Sequence, residues 1–118
     1  MESKNKFIFD DFYSLLKYAE KRRKFHRIKC DIDVTIRNHT HPIQIQAKCI
    51  DISLGGIKIK MFSYNKIKLY ANDIVEIWIY LENNDKPMHR WGKVAWFKQT
   101  DIALYRGGLY FTTEKPVD

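Results

Sequence analysis

The chain has 118 residues, a length that predicts a single domain. Hydrophobic residues make up 45% of it and charged residues 30%, which is typical of a soluble globular protein and excludes a disordered chain. We find no apolar run of roughly 18 residues and no signal peptide, so we expect a cytoplasmic protein without a membrane span. Cys30 and Cys49 are too few for a disulfide framework, and we expect reduced thiols in the core.

The positive charge of the chain is concentrated in one segment. The formal net charge is +7, from 21 basic and 14 acidic residues. Residues 17–29 contain seven basic residues and one acidic residue and therefore carry +6, whereas the rest of the chain carries +1. This distribution favours an anionic partner that binds at one place on the molecule.

The first predicted element is an amphipathic helix over residues 10–21. Four apolar residues have the i, i+3, i+4, i+7 spacing of one helix face: Phe12, Leu15, Leu16 and Ala19. We therefore divide the chain into an N-terminal tail and helix, residues 1–20, and a β-domain, residues 21–118. The two parts together make one domain.

After the helix the hydrophobic pattern changes to period two, which predicts strands. Six strands are expected, at about residues 28–37, 43–49, 57–61, 74–81, 88–98 and 102–112. Because no helical pattern separates these strands, we expect a mainly β fold in which a six-stranded antiparallel sheet closes into a small barrel. Gly107 and Gly108 inside the sixth strand predict a bulge or a close backbone approach.

The sequence offers little for an enzyme. It contains neither a Walker-type phosphate loop nor a nucleophile elbow. Cys30 and Cys49 fall on the apolar sides of their strands, which is typical of small core residues rather than nucleophiles. His39 and His41 have the spacing of a metal pair, but a solvated turn explains them better. We therefore expect a protein that is not an enzyme and that has no metal site and no cofactor.

The first candidate binding motif lies between the predicted helix and the first strand. It reads Arg22-Arg23-Lys24-Phe25-His26-Arg27. Most charge runs of this kind are solvated surface. Here the elements on both sides restrict the directions of the side chains, and guanidinium groups are suited to bidentate recognition of phosphates and of guanine. We therefore favour a binding role for the arginines.

The second candidate motif follows the second predicted strand and reads Asp51-Ile52-Ser53-Leu54-Gly55-Gly56. Taken alone it is typical of an ordinary turn, in which Asp and Ser bond to nearby backbone and the glycines take positive φ. As a binding motif it offers acceptors at Asp51 and Ser53 and bare backbone at Gly55 and Gly56. Such groups are suited to hydrogen bonds with a base edge and to close approach of a ligand.

Together, the two motifs resemble the signature of the PilZ domain family. That signature has R-x-x-x-R before the first strand and [D/N]-x-S-x-x-G after the second; here the motifs are Arg23-Lys-Phe-His-Arg27 and Asp51-Ile-Ser-Leu-Gly-Gly56. The resemblance extends over about residues 21–112. It implies a six-stranded antiparallel barrel that binds the bacterial second messenger cyclic di-GMP.

The resemblance also implies roles for the arginines. Arg23 and Arg27 would grip guanine and phosphate. Arg22 would add charge and contact a second ligand molecule, so that two intercalated copies of cyclic di-GMP could bind. We further hypothesise that the ligand orders residues 20–27 against the barrel and repositions the helix at residues 10–21.

The resemblance assigns the remaining site residues to the base of the ligand. Asp51 and Ser53 would hydrogen-bond a guanine edge, while Gly56 beside Gly55 would let the ligand approach the strand. Trp96 matches a position at which an aromatic side chain packs against the ligand in some members. The domain would then be a stand-alone adaptor whose output lies in another, unidentified protein.

Two alternatives remain open at this point. A small barrel with a basic segment and exposed aromatic side chains also fits a single-stranded nucleic-acid binder; the candidates are Trp78, Tyr80, Trp91 and Trp96. Charge confined to residues 17–29 argues against that reading, because a channel that tracks several nucleotides needs charge spread along a groove. The other alternative is a PilZ-fold protein-interaction module without nucleotide binding, and the intact arginine motif argues against it.

Overall fold

The computed structural model describes residues 27–81, 85–113 and 115–116. The predicted helix at residues 10–21 lies outside this part of the chain, as do Arg22 and Arg23. The proposed ordering of residues 20–27 concerns the same undescribed segment, apart from Arg27. Within the described ranges, we find no helix that is long and apolar enough to span a membrane.

The described residues form six strands that close into a barrel. The strands are β1 (Ile28–Asn38), β2 (Ile43–Ile52), β3 (Gly56–Phe62), β4 (Ile74–Ile79), β5 (Met88–Asp101) and β6 (Leu104–Thr112). Their order around the barrel is β1-β2-β3-β6-β5-β4, and β4 pairs with β1 to close it. Every pair of neighbours is antiparallel. The predicted six-stranded antiparallel barrel is therefore confirmed.

Alternate residues of the strands fill the interior of the barrel. The wholly buried aliphatic side chains are Val34, Ile36, Ile57, Ile59, Val75, Ile77, Ile79 and Val94. Their removal from water supplies the main stabilising free energy, about 25 cal/mol per Å² of apolar surface. Cys49 belongs to the same core and Cys30 packs against it half-buried, and both cysteines are free thiols. The predicted place of both cysteines on the core side is confirmed.

Several strand ends differ from the prediction. The second strand continues through Ile52, so Asp51 lies within β2 rather than after it. The fifth strand extends to Asp101, and a two-residue turn with Ala103 at φ 62° leads into β6. These ends were missed because backbone hydrogen bonds extend the strands into polar residues where the hydrophobic alternation has stopped.

A β-bulge lies opposite the two glycines of β6, but it belongs to β5. Val94 pairs with Leu109 and Trp96 pairs with Gly108, so Ala95 is the extra residue. The bulge therefore lies on β5, opposite the glycines, and not in β6. The close approach predicted at these glycines is present in the structure. A Cβ atom added at Gly108 would lie 2.5 Å from Nε1 of Trp96. Glycine at this position lets the indole ring lie against the backbone of β6.

Candidate functional site

Arg27 brings the two sequence motifs together at one corner of the barrel. Its Nε lies 3.3 Å from Oδ2 of Asp51, and its Nη1 lies 3.4 Å from Oγ of Ser53. The antiparallel register pairs Lys29 with Asp51, which places the start of β1 beside the end of β2. The Arg27 side chain is 45% exposed and the Asp51 side chain 11% exposed. The corner therefore presents a cation to solvent above a nearly buried carboxylate.

Ser53 organises the connection between β2 and β3. Its backbone N–H donates to the carbonyl of Gly56 at 2.9 Å, and its hydroxyl oxygen accepts from the N–H of Gly55 at 3.2 Å. The hydroxyl also accepts from Arg27 and donates to the carbonyl of Gly56 at 3.4 Å. A serine hydroxyl has one donor and two acceptor positions, so these contacts use its whole capacity. Ser53 thus holds both the turn and the guanidinium group in place.

The glycines of this turn differ from expectation. Neither Gly55 nor Gly56 has a positive φ, so backbone conformation does not explain the glycines of this turn. A Cβ atom added at Gly56 would lie 2.1 Å from the carbonyl oxygen of Leu109. Gly56 is therefore required by the pairing of β3 with β6. Gly55 accepts a hydrogen bond from the N–H of Phe111 at 2.8 Å, which ties the turn to β6 as well.

A groove of about 280 Å³ opens beside the corner. It is lined by Arg27, Ser53, Gly55, Gly56, Ile57, Ala95, Trp96, Gly108, Leu109 and Tyr110. Trp96 and Tyr110 are 38% and 40% exposed and form aromatic walls. The ammonium group of Lys98 lies 5.6 Å from the centre of the Trp96 ring. The groove therefore combines aromatic side chains with the guanidinium group of Arg27, which suits a planar group attached to an anion.

Asp51 carries an acceptor that is not used within the described residues. Oδ2 of Asp51 pairs with Arg27, whereas Oδ1 is buried and has no hydrogen-bond partner there. Buried polar atoms in folded proteins are nearly always hydrogen-bonded, and an unsatisfied one costs about 1–3 kcal/mol.

The structure places six of the predicted site residues around this corner: Arg27, Asp51, Ser53, Gly55, Gly56 and Trp96. Arg22 and Arg23 lie outside the described residues. Tyr110 and Gly108 also line the groove. Tyr110 was not predicted from the sequence, and Gly108 was predicted only as part of a bulge or a close backbone approach. A signal for Tyr110 was present, because it lies two residues after Gly108 and period two places both on the outer face of β6.

A second group of polar side chains lies at the opposite end of β1. Nε2 of His39 and of His89 lie 2.8 and 2.7 Å from the two oxygens of Glu76. Burial raises the pKa of Glu76, but the hydrogen bonds to His89 and His39 lower it by more, so its pKa lies below its ordinary value. His41 instead contacts Asp73 at 3.0 Å. His39 and His41 therefore serve different carboxylates, and we find no metal-binding cluster in the described residues.

The fold is a small six-stranded β-barrel whose two sequence motifs meet at one corner. A PilZ domain model matches residues 21–117, so the chain belongs to the PilZ domain family. Members of this family are in general cyclic di-GMP receptors and adaptors rather than enzymes. No curated protein sequence matches the chain significantly.

Solved structures show the same fold. The PilZ domain of CeSA from a cellulose-synthesizing bacterium superposes with a TM-score of 0.58 at 23% identity, covering 76% of this chain and 83% of that one. The inhibitor of motility MotI/DgrA of Bacillus subtilis superposes with a TM-score of 0.59 at 17% identity. That match covers 80% of this chain and 44% of the other. At these identities the similarity supports the fold alone.

Proposed function

We propose that this PilZ domain binds cyclic di-GMP at the corner formed by Arg27, Asp51 and Ser53, and that it transmits the binding to a partner protein as a ligand-switched adaptor. The observation that carries the proposal is the ion pair between Arg27 and Asp51. It joins two motifs that are distant in sequence, beside a groove with an aromatic wall. Membership of the family supports the choice of ligand.

The phosphates of the ligand are assigned to the arginines. A guanidinium group has five N–H donors, and the contacts of Arg27 with Asp51 and Ser53 engage only its Nε and Nη1. The remaining donors of this half-exposed side chain would form charge-assisted bonds with a phosphate. Arg22 and Arg23 precede it by a few residues and would add charge at the same place. The doubled arginine supports two intercalated ligand molecules.

One guanine is assigned to the groove. Small-molecule pockets usually measure about 300–1,000 Å³, and at about 280 Å³ this groove suits one base rather than a whole dinucleotide. Stacking of a base on an aromatic side chain such as Trp96 is worth about 1–3 kcal/mol. Asp51 then accepts hydrogen bonds from the guanine edge. Because the Ser53 hydroxyl already makes its full set of bonds, we assign it to positioning Arg27 and the turn.

The test is calorimetric titration of the full chain with cyclic di-GMP. We expect Arg27→Ala or Arg23→Ala to weaken binding by about 2–4 kcal/mol, roughly 30- to 1,000-fold, because each removes charge-assisted bonds. Asp51→Ala should cost somewhat less. Arg27→Lys should also bind poorly, because the ammonium group lacks the planar fork. The same titration gives the number of ligand molecules per chain.

Arg37 supplies the matched control. It is an exposed arginine at the far end of β1, where its side chain contacts Gln44 and lies 5.8 Å from the centre of the Trp78 ring. Arg37→Ala removes the same charge and should bind like the wild type. Wild-type protein that does not bind the ligand would overturn the proposed function. Equal losses at Arg27 and Arg37 would overturn the site and leave a general charge effect.

A further inference from the structure

The two cysteines lie side by side in the barrel wall, outside the groove. Sγ of Cys30 is 3.6 Å from Sγ of Cys49, and Cys30 also donates to the carbonyl of Cys49 at 3.3 Å. Cys30 lies in the irregular part of β1, where the register shifts between Lys29 and Ile32. A disulfide bond is about 2.05 Å long, so the sulfur atoms need to approach by only about 1.5 Å.

The surroundings give the two thiols different access to solvent. Cys49 is wholly buried in the core, whereas Cys30 is half-buried. The hydrogen bond with Cys30 and burial both raise the pKa of Cys49, so this thiol does not ionise readily by itself. A small oxidant therefore reaches Cys30 first, and Cys49 is the neighbour positioned to react second.

We propose that Cys30 and Cys49 form an oxidation site, at which a peroxide converts the two thiols into an intramolecular disulfide. In the first step the Cys30 thiolate attacks one oxygen of the peroxide, the O–O bond breaks, and sulfenic acid and hydroxide form. In the second step Cys49 attacks the sulfur of that sulfenic acid, its proton leaves with the hydroxyl group as water, and the S–S bond forms. Two thiols are oxidised by two electrons, and hydrogen peroxide is reduced to two molecules of water.

The site lies next to the candidate binding corner without being part of it. Sγ of Cys49 donates to the carbonyl of Asp51 at 3.4 Å, and Cys30 follows Arg27 by three residues. The disulfide would link the strand that follows Arg27 to the strand that carries Asp51. The proposal does not depend on cyclic di-GMP, and its test contains no nucleotide.

The experiment maps the thiols of the full chain. Fully reduced protein, freed of reductant, is treated with hydrogen peroxide, unfolded, and blocked with N-ethylmaleimide before mass spectrometry. We expect a monomer that has lost about 2 Da, the mass of two hydrogen atoms, and that takes up no maleimide. Peptide mapping should find Cys30 joined to Cys49, and a thiol reductant should restore both thiols.

Two variants separate the roles of the cysteines. In Cys30→Ala, buried Cys49 should remain a thiol under the same treatment. In Cys49→Ala, Cys30 should gain oxygen atoms instead of forming a disulfide within the chain. Wild-type protein in which Cys49 still takes up maleimide while Cys30 gains oxygen would overturn the proposal, as would a disulfide between two chains. If Cys49→Ala does not fold, the wild-type peptide map still decides the question.

Discussion

Neither Gly56 nor Gly108 has room for a side chain, but the neighbouring atoms that fill this space differ in how easily they can move. The Cβ atom of an alanine at position 56 would meet the backbone oxygen of Leu109, which is fixed by the pairing of β3 with β6. At position 108 it would meet the indole ring of Trp96, a half-exposed side chain that can turn away. The first glycine serves the fold, and the second shapes the groove.

We therefore expect the two alanine substitutions to affect different properties, ligand binding at position 108 and stability at position 56. Gly108→Ala should leave the melting temperature close to that of the wild type and weaken cyclic di-GMP binding about three- to tenfold, because it disturbs a stacking surface worth about 1–3 kcal/mol. Gly56→Ala should lower the free energy of unfolding by about 2 kcal/mol or more. Thermal melts and titrations of both variants check this. Unchanged binding by Gly108→Ala would contradict the assignment of Trp96.

Asp73 is a nearly buried carboxylate that holds the loop before β4. Its Oδ2 accepts from Nδ2 of Asn38 at 2.8 Å and from the N–H of Tyr70 at 3.0 Å. Asp73→Ala should lower the free energy of unfolding by about 2–3 kcal/mol, because it leaves the buried Asn38 amide without this acceptor. Urea denaturation at neutral pH measures the change. Asp85→Ala, at an exposed position in the β4–β5 turn, is the control and should leave stability unchanged.

Acid should destabilise the barrel through the same carboxylates. Burial raises the pKa of Asp73, but hydrogen bonds from Asn38, the Tyr70 N–H and His41 lower it by more, and the pKa of Glu76 is lowered as well. A carboxyl group whose pKa is lower in the folded than in the unfolded state stabilises the protein at pH values above its unfolded pKa. That unfolded pKa is 3.8 for Asp73 and 4.5 for Glu76. That stability is lost as the pH falls through the lower folded values.

A denaturation series between neutral pH and pH 3 measures this acid effect. We expect the wild type to lose stability in the acid part of the range, and Glu76→Gln to lose less between the same two pH values because it has no carboxyl to titrate. An identical pH dependence for the wild type and Glu76→Gln would show that the Glu76 contacts with His39 and His89 do not contribute.

At the scale of elements, hydrophobic alternation was sufficient to predict six strands. Ile28, Val34 and Ile36 mark β1 because one of its faces is buried, and the other strands follow the same rule. The positions of the bulges could not be predicted, since the extra residue at Ala95 is defined only by its partner strand. The tail of β5 was also missed, because its polar side chains have no preferred face.

Part of the candidate site could likewise be predicted from the sequence. Arg27, Asp51 and Ser53 lie in short motifs whose residue types indicate phosphate and base recognition. Tyr110 comes from β6, and only the pairing of β6 with β3 and β5 brings it to the groove. The role of Ser53 also needed the structure, because its bonds to Arg27, Gly55 and Gly56 depend on the shape of the turn.

The segment before β1 is expected to respond to the ligand. Residues 17–29 carry a net charge of +6, and two ligand phosphates would reduce its internal repulsion. We predict that hydrogen exchange in residues 15–27 slows when cyclic di-GMP is added to the full chain. The Arg27→Ala variant at the same ligand concentration should show a much smaller change. Equal protection of the wild type with and without ligand would contradict the switch.

At the scale of the whole molecule, the charge distribution separates a dinucleotide receptor from a nucleic-acid binder. Outside residues 17–29 the chain has a net charge of only +1. The strand pairing places Lys60, Arg106 and Lys98 in one cross-strand row, which is short for a groove that follows several nucleotides. Anisotropy titrations with a labelled single-stranded oligonucleotide at two salt concentrations test this. We expect binding no tighter than about 10⁻⁴–10⁻⁶ M at physiological salt, the range of non-specific contacts. Submicromolar binding that survives salt and is indifferent to cyclic di-GMP would favour the alternative.

The short β4 leaves part of β5 as an edge strand. β4 pairs with β5 only from Met88 to Lys93, so from Ala95 to Asp101 the described ladder has β6 on one side alone. The unpaired backbone groups of such an edge can pair with a strand of another chain. Here a bulge at each end and the charge of Lys98 disfavour that pairing. Between the two bulges, residues 96–99 pair with β6 in a regular register, and they include Trp96. A protein that docks along this edge would therefore contact the same indole ring as a nucleotide in the groove, and the two could compete for it.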